Sequence, residues 1–275
     1  MKRLMLSIML IALSVSTVFP ETDDTIISYP RSGIQQLQDP KGYVSRVRFN
    51  YNFTYDIYEI EAKAAKHIPV WSFARWDIGF MGAITIFIHP TDGFFGYYPV
   101  DNLIGYIGAY AEIYDLFTPG LDLIIYPLAH ESTHLVDGYD RGGTETGYLY
   151  EDMVFDSNEY YGFDFRYRLN NLNLFAGFIA YLYLPSKPIE TVTRPLRFRF
   201  HIGEDWTIPI NEKLGVIISS DFALFYEDGF HPAINIGTGV NFGKSTIMLH
   251  YEYQRGLGQD FRAMQQRFGL EFSLF

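Results

Sequence analysis

The sequence predicts an all-β protein: an antiparallel transmembrane β-barrel of about twelve strands following an N-terminal signal peptide. Three observations predict it. Apolar and polar residues alternate with period two through most of the chain, as in strands with one greasy and one wet face. The alternating runs are roughly ten to fourteen residues long, where soluble strands usually run ~5–6. The only long apolar stretch stands at the N-terminus, so helices are not the means of crossing a membrane. The composition fits. Among 275 residues there are 24 Phe, 22 Tyr and 3 Trp, too many aromatics for a disordered chain. The net charge of −11 argues against nucleic acid as a partner. With no cysteine, disulfides, thiol catalysis and thiolate metal sites are excluded.

In chain order, Lys2 and Arg3 precede an apolar run over 4–19, shorter than the ~20 residues of a spanning helix. A basic start and a short apolar core read as a secretory signal peptide, with Ser14 and Ser16 as the small residues of a cleavage site. The division expected is a signal peptide at 1–20 and a barrel domain at 21–275, exported to the outer membrane of a diderm bacterium.

Strands are expected near 43–52, 56–74, 78–88, 102–115, 120–136, 153–168, 172–184, 192–203, 213–226, 231–242, 245–254 and 264–275. An even number brings both ends of the barrel to the periplasmic side. The turns expected there are tight: Trp76-Asp77, Thr118-Pro119-Gly120, Asn170-Asn171 and Gly243-Lys244, with 204–212 as a longer connection. The external loops expected at 89–101, 137–152 and 255–263 are long and rich in Gly and Asp.

A barrel strand turns its apolar face to lipid and its polar face inward. In 196–202, Leu196, Phe198 and Phe200 then meet lipid, while Arg197, Arg199 and His201 point inward. The same alternation sends Arg166, Arg168, His250 and Glu252 to the lumen, where charges must pair or be hydrated.

Residues 128–137, Leu-Ala-His-Glu-Ser-Thr-His-Leu-Val-Asp, carry the most chemistry, and three readings of them stay open. In one, His130, Ser132 and His134 lie on one face of strand five and join the lumen polar cluster near the outer mouth. The role is then structural, binding or passage of a small solute. In the second, Ser132 is the nucleophile and His130 the base of a lipid esterase or deacylase, a His two residues from a Ser needing a third group to orient its ring. Asp137 and Asp140 are the acids considered. In the third, His130-Glu131-x-x-His134 is a zinc-protease motif, which requires a helix, with Glu145, Glu151 or Glu159 as third ligand. Neither of the first two readings calls for a cofactor or a metal. The partners expected are outer-membrane lipid, lipopolysaccharide and the barrel-assembly machinery.

Three resemblances attach to these residues. The ending Arg267-Phe268-Gly269-Leu270-Glu271-Phe272-Ser273-Leu274-Phe275 resembles the last strand of bacterial outer-membrane barrels. The His-x-Ser pair is similar to that of outer-membrane phospholipase A and lipid A deacylase, with Thr133 where those barrels have Asn. The stretch 130–138 also resembles the strand H-x-S-S-H-L-G-D-E of an outer-membrane family numbered 1207 among the domains of unknown function. That likeness extends through 110–116 with Asp122, and through 251–253 with 256–261. It implies a barrel with a surface-facing polar cluster, and no assigned activity.

Overall fold

The computed structural model describes residues 43–54, 56–88, 100–135, 155–182, 198–211, 213–226, 229–242, 245–255 and 264–274. The proposed signal peptide, Arg197, Asp137, Asp140, Phe275 and most of the expected external loops lie outside the described residues.

The chain forms twelve antiparallel strands, β1 (Tyr43–Asn52), β2 (Ile57–Phe73), β3 (Trp76–Ile88), β4 (Val100–Ile113), β5 (Leu121–Leu135), β6 (Phe155–Leu169), β7 (Leu172–Leu182), β8 (Phe198–Asn211), β9 (Leu214–Tyr226), β10 (Phe230–Phe242), β11 (Ser245–Arg255) and β12 (Met264–Leu274). Each pairs with its sequence neighbours, and β1 pairs with β12, so the sheet closes and no edge is left unpaired. There is no helix among the described residues.

Alternation sorts the side chains. In β1, Arg46, Arg48, Asn50 and Asn52 are buried inside. Outward positions on other strands, such as Phe80, Ile107, Phe200, Ile202 and Phe222, are exposed. An apolar belt around a polar interior inverts a soluble sandwich and is the pattern of a barrel in lipid.

The described interior holds many buried polar side chains, several of them paired with one another. Arg48 reaches Glu271 at 2.6 Å and Glu252 at 2.9 Å, and Arg267 reaches Glu59 at 2.6 Å. Arg46 pairs with Glu61. Across the barrel, Met81, Tyr110, Ile124, Tyr126, Ala129, Tyr160 and Ile179 form an apolar cluster inside β3 to β7.

Two expectations are corrected. The connection expected at 204–212 is mostly strand, because β8 continues to Asn211. Its acidic residues do not make a turn: Asp205 is fully buried and accepts a hydrogen bond from Ser219 at 2.6 Å. The turn expected at Trp76-Asp77 lies just before it, since β2 ends at Phe73 and β3 begins at Trp76. The tight connection at Asn170 is present, with Asn170 at φ 48°, a left-handed value that Asn tolerates.

Candidate functional site

β5 carries a defect that decides which way its chemistry faces. Before Tyr126 its even residues point inward: Asp122, Ile124 and Tyr126 are buried. Between Tyr126 and Ala129 the register shifts against β6, where those two residues pair with Gly162 and Tyr160. The same shift occurs against β4. β5 thus holds one extra residue, a β-bulge. Pro127 explains its position, since proline donates no ladder hydrogen bond and is tolerated in sheets at bulges. Leu128 is exposed at 54% while Ala129 is 1% exposed, so the inward set changes from even to odd.

His130 therefore faces outward. It pairs across the sheet with Ile107, which is 64% exposed, and with Glu159 on β6. Its Nδ1–H donates to Glu159 Oε1 at 2.8 Å, with the His and Glu side chains 36% and 25% exposed. This corrects the expectation that His130 joins a cluster inside the barrel mouth. An unbroken alternation puts it inside, and the extra residue at the bulge turns it out.

Alternation continues beyond the bulge, so positions 130, 132 and 134 share the outward face. The backbone of Ser132 pairs with Gly105 and Ser157, and that of His134 with Leu103 and Phe155. The side chains of Glu131, Ser132, Thr133 and His134 lie outside the described part. The zinc-protease reading does not survive this backbone. Residues 130–134 are strand, and alternate strand residues put 131 on the face opposite 130.

The remaining site residues separate into groups. Arg166 pairs with Glu112 and lies 3.6 Å from Asp122, which Arg168 reaches at 2.9 Å, all toward the short-turn end and far from His130. His201 Nε2 lies 2.6 Å from Asp164 Oδ1, and Tyr126 donates to the other Asp164 oxygen at 2.9 Å. His250 contacts Asn50 at 2.8 Å, and Glu252 joins Arg48 and Arg267. Arg199 is buried at 8% exposure beside the Phe225 ring. These are several interior networks, not one cluster at the mouth.

Glu159 is the residue the sequence reading misplaced, offering it as a metal ligand. The signal available was its odd position in β6, shared with Tyr161 and Phe163 on the apolar face. A carboxylate on a lipid-facing row calls for a partner.

On the outward wall beside this pair the surface is hollowed. A furrow of about 460 Å³ runs between β5 and β6, lined by Pro127, Ile125, Leu123, Tyr161, Phe163 and Phe165 among others. A second, of about 360 Å³, is lined by Ala176, Phe165, Phe178, Phe200 and Ile202 among others.

Among solved structures the barrel is similar to outer-membrane phospholipase A from Escherichia coli, with a TM-score of 0.58 and 11% identity over 86% of this chain and 97% of that one. The Salmonella typhi outer-membrane phospholipase, a dimer with bound calcium, gives 0.57 and 11% over 86% and 91%. The chain has the fold of outer-membrane β-barrels. At this identity the likeness is one of fold alone. No family model and no curated protein matches the chain.

Proposed function

We propose that this chain is an outer-membrane acyl-ester hydrolase whose site lies on the lipid-facing wall, with Ser132 as nucleophile, His130 as general base and Glu159 as the group that orients the imidazole. The observation that carries the reading is the hydrogen bond from His130 Nδ1 to Glu159, two residues from Ser132 on the same strand face. A carboxylate on Nδ1 fixes the tautomer that leaves Nε2 as the basic nitrogen, and it stabilises the imidazolium formed when Nε2 takes the serine proton. The serine oxygen then attacks the ester carbonyl. His130 returns the proton to the leaving alcohol, and water, deprotonated by His130, releases the acyl group from Ser132.

The placement supports a lipid as substrate. With the long loops external, an outward site five residues from that end of β5 would stand within reach of the ester groups of outer-leaflet lipid. Among the described residues the interior is taken up largely by buried polar side chains, many of them in ion pairs. The similarity of the His-x-Ser pair to phospholipase A and lipid A deacylase adds to this reading. The likeness to the uncharacterised family numbered 1207 is compatible with it, since that family implies a surface-facing polar cluster.

The test is direct. Purified barrel in detergent and in vesicles is assayed for fatty-acid release from phospholipid and from lipopolysaccharide, and Ser132 is probed with a fluorophosphonate. Release and labelling are expected in the native chain, and both are expected to be lost in Ser132→Ala while the barrel stays folded. Absence of both in the native chain overturns the reading.

A further inference from the structure

We infer that residues 25–38, which precede β1, dock inside the barrel against the inward face of β8 to β11, with Arg31 set against Asp205 and Asp221. The inference stands apart from the hydrolase reading. It starts from a part of the interior whose polar groups are left over. Around β1, β2 and β12 the inward charges pair with one another, and inside β3 to β7 the apolar cluster takes the space. On β8 to β11, Thr207 Oγ1, Asn241 Nδ2, Thr246 Oγ1 and His250 Nδ1 have no hydrogen-bond partner among the described residues, although none of these residues is more than 6% exposed. A buried polar group without a partner is costly, so these four call for one. The face has room for it. The atoms nearest to where a side chain at Gly237 would stand belong to β11, at 3.4 Å and beyond.

The leftover groups form a ladder running inward. Asn241 pairs with Thr246 beside the connection from β10 to β11. Thr207 stands one inward position deeper, level with Gly239 through Ile217. His250 is deeper again, level with Gly237 and, through Ser219, with Asp205. Asp221 follows, level with Asn235. This ladder suits a peptide. His250 Nε2 lies 2.8 Å from Asn50 Oδ1, an oxygen that only accepts, so Nε2 carries the proton and Nδ1 is a bare acceptor. Asn241 Nδ2 only donates, and the threonine hydroxyls do either. An extended chain meets such a mixed row, because each residue other than proline offers one N–H and one C=O.

Residues 25–38 match in place, length and charge. Ser45 of β1 and Ser245 of β11 both pair with Leu274, so β1 starts at the end of the barrel where Asn241 and Thr246 lie. The eleven residues from Gly42 to Arg31 reach at most roughly 36–40 Å when extended, and the level of Asp221 is roughly 20 Å along the strand from Thr246. Arg31 is the only charged residue in 25–38, and its guanidinium would enter where Asp205 and Asp221 are buried. The tether to β1 makes docking intramolecular, so modest contacts suffice.

The chain has no cysteine, so an introduced pair cross-links without background. In the full-length barrel in vesicles, Ser32→Cys is combined with Gly237→Cys, with Ala65→Cys on the inward face of β2, or with Gly82→Cys on the outward face of β3. Folding is checked by heat-modifiable migration, and Thr207→Cys replaces Gly237→Cys if that barrel fails to fold. Oxidation is expected to join 32 to 237 in most molecules, and to 65 or 82 in few. Arg31→Glu is expected to lower the 32–237 yield severalfold, and Arg31→Lys to keep it. In the single variant Gly237→Cys, a water-soluble maleimide is expected to react about tenfold faster once 25–38 are deleted. Absence of the 32–237 link, or equal linking of 32 to 237 and 65, overturns the inference. So does a maleimide rate that the deletion leaves unchanged, which would give the face to water or a small solute. A yield unmoved by Arg31→Glu overturns the pairing with Asp205 and Asp221.

Discussion

Glu159 and Glu252 show how differently a carboxylate acts on the two faces of one wall. Glu159 sits on the lipid-facing side with a single described partner, His130. If it orients the ring, Glu159→Gln should lower kcat on the order of 10²–10⁴-fold with KM nearly unchanged, because an amide fails to stabilise the imidazolium. Steady-state kinetics on a lipid ester reads that split, and an equal loss in KM would make Glu159 a binding residue. Glu252 is buried and bridges Arg48 at 2.9 Å and Arg267 at 3.3 Å. Replacing it by Gln leaves two buried guanidinium groups short of charge, and breaking a buried pair costs about 3–5 kcal/mol. The urea midpoint of the barrel in vesicles should fall accordingly, while hydrolysis by the molecules that remain folded is unaffected.

At the scale of the strand, the bulge is the device that matters. It adds one residue at Pro127, so Tyr126 and Ala129 both face inward across two outward residues. Deleting Pro127 then restores simple alternation without exchanging faces: Tyr126 in, Leu128 out, Ala129 in, His130 out. A spin label at position 130 should stay accessible to lipid-soluble oxygen in this deletion. In a strand without a bulge position 130 would start in the lumen and the same deletion would turn it outward, so a label shielded in the intact chain and exposed only in the deletion would refute the assignment. This element also marks where the sequence stopped being legible. Period-two alternation made the strands and their number readable, because each strand buries a polar face and exposes an apolar one. The facing of His130 was not readable, since one unpaired residue inverts every side chain beyond it. Pro127 was the available signal, in the middle of an apolar run. The partnership with Glu159 was hidden for another reason: it depends on the β5–β6 register, and 136–154 between those strands sets no register by its length. The end of β8 was missed because Glu204 and Asp205 look like turn residues until the lumen supplies Ser219 as a partner.

For the whole molecule the decisive contrast is between the wall and the lumen. Closure of β1 on β12 makes the barrel a single cooperative hydrogen-bonded ring, so it should resist detergent and migrate faster unheated than boiled. Twelve strands enclose a space that side chains can largely fill. They do so here with Arg46, Arg48 and Arg267 set against Glu59, Glu61, Glu252 and Glu271, all buried, and with a tyrosine-rich cluster opposite. Pulling an ion through would require separating these pairs in a confined space, at a cost of several kcal/mol for each uncompensated charge. In a planar bilayer the protein should therefore show no steady conductance, while the same preparation in vesicles releases fatty acid. A stable open conductance that persists in Ser132→Ala would assign the lumen the function proposed for the wall. Conductance that instead appears only in Glu252→Gln would show that the ion pairs are what keep the barrel shut, and would leave the chemistry on its outer face.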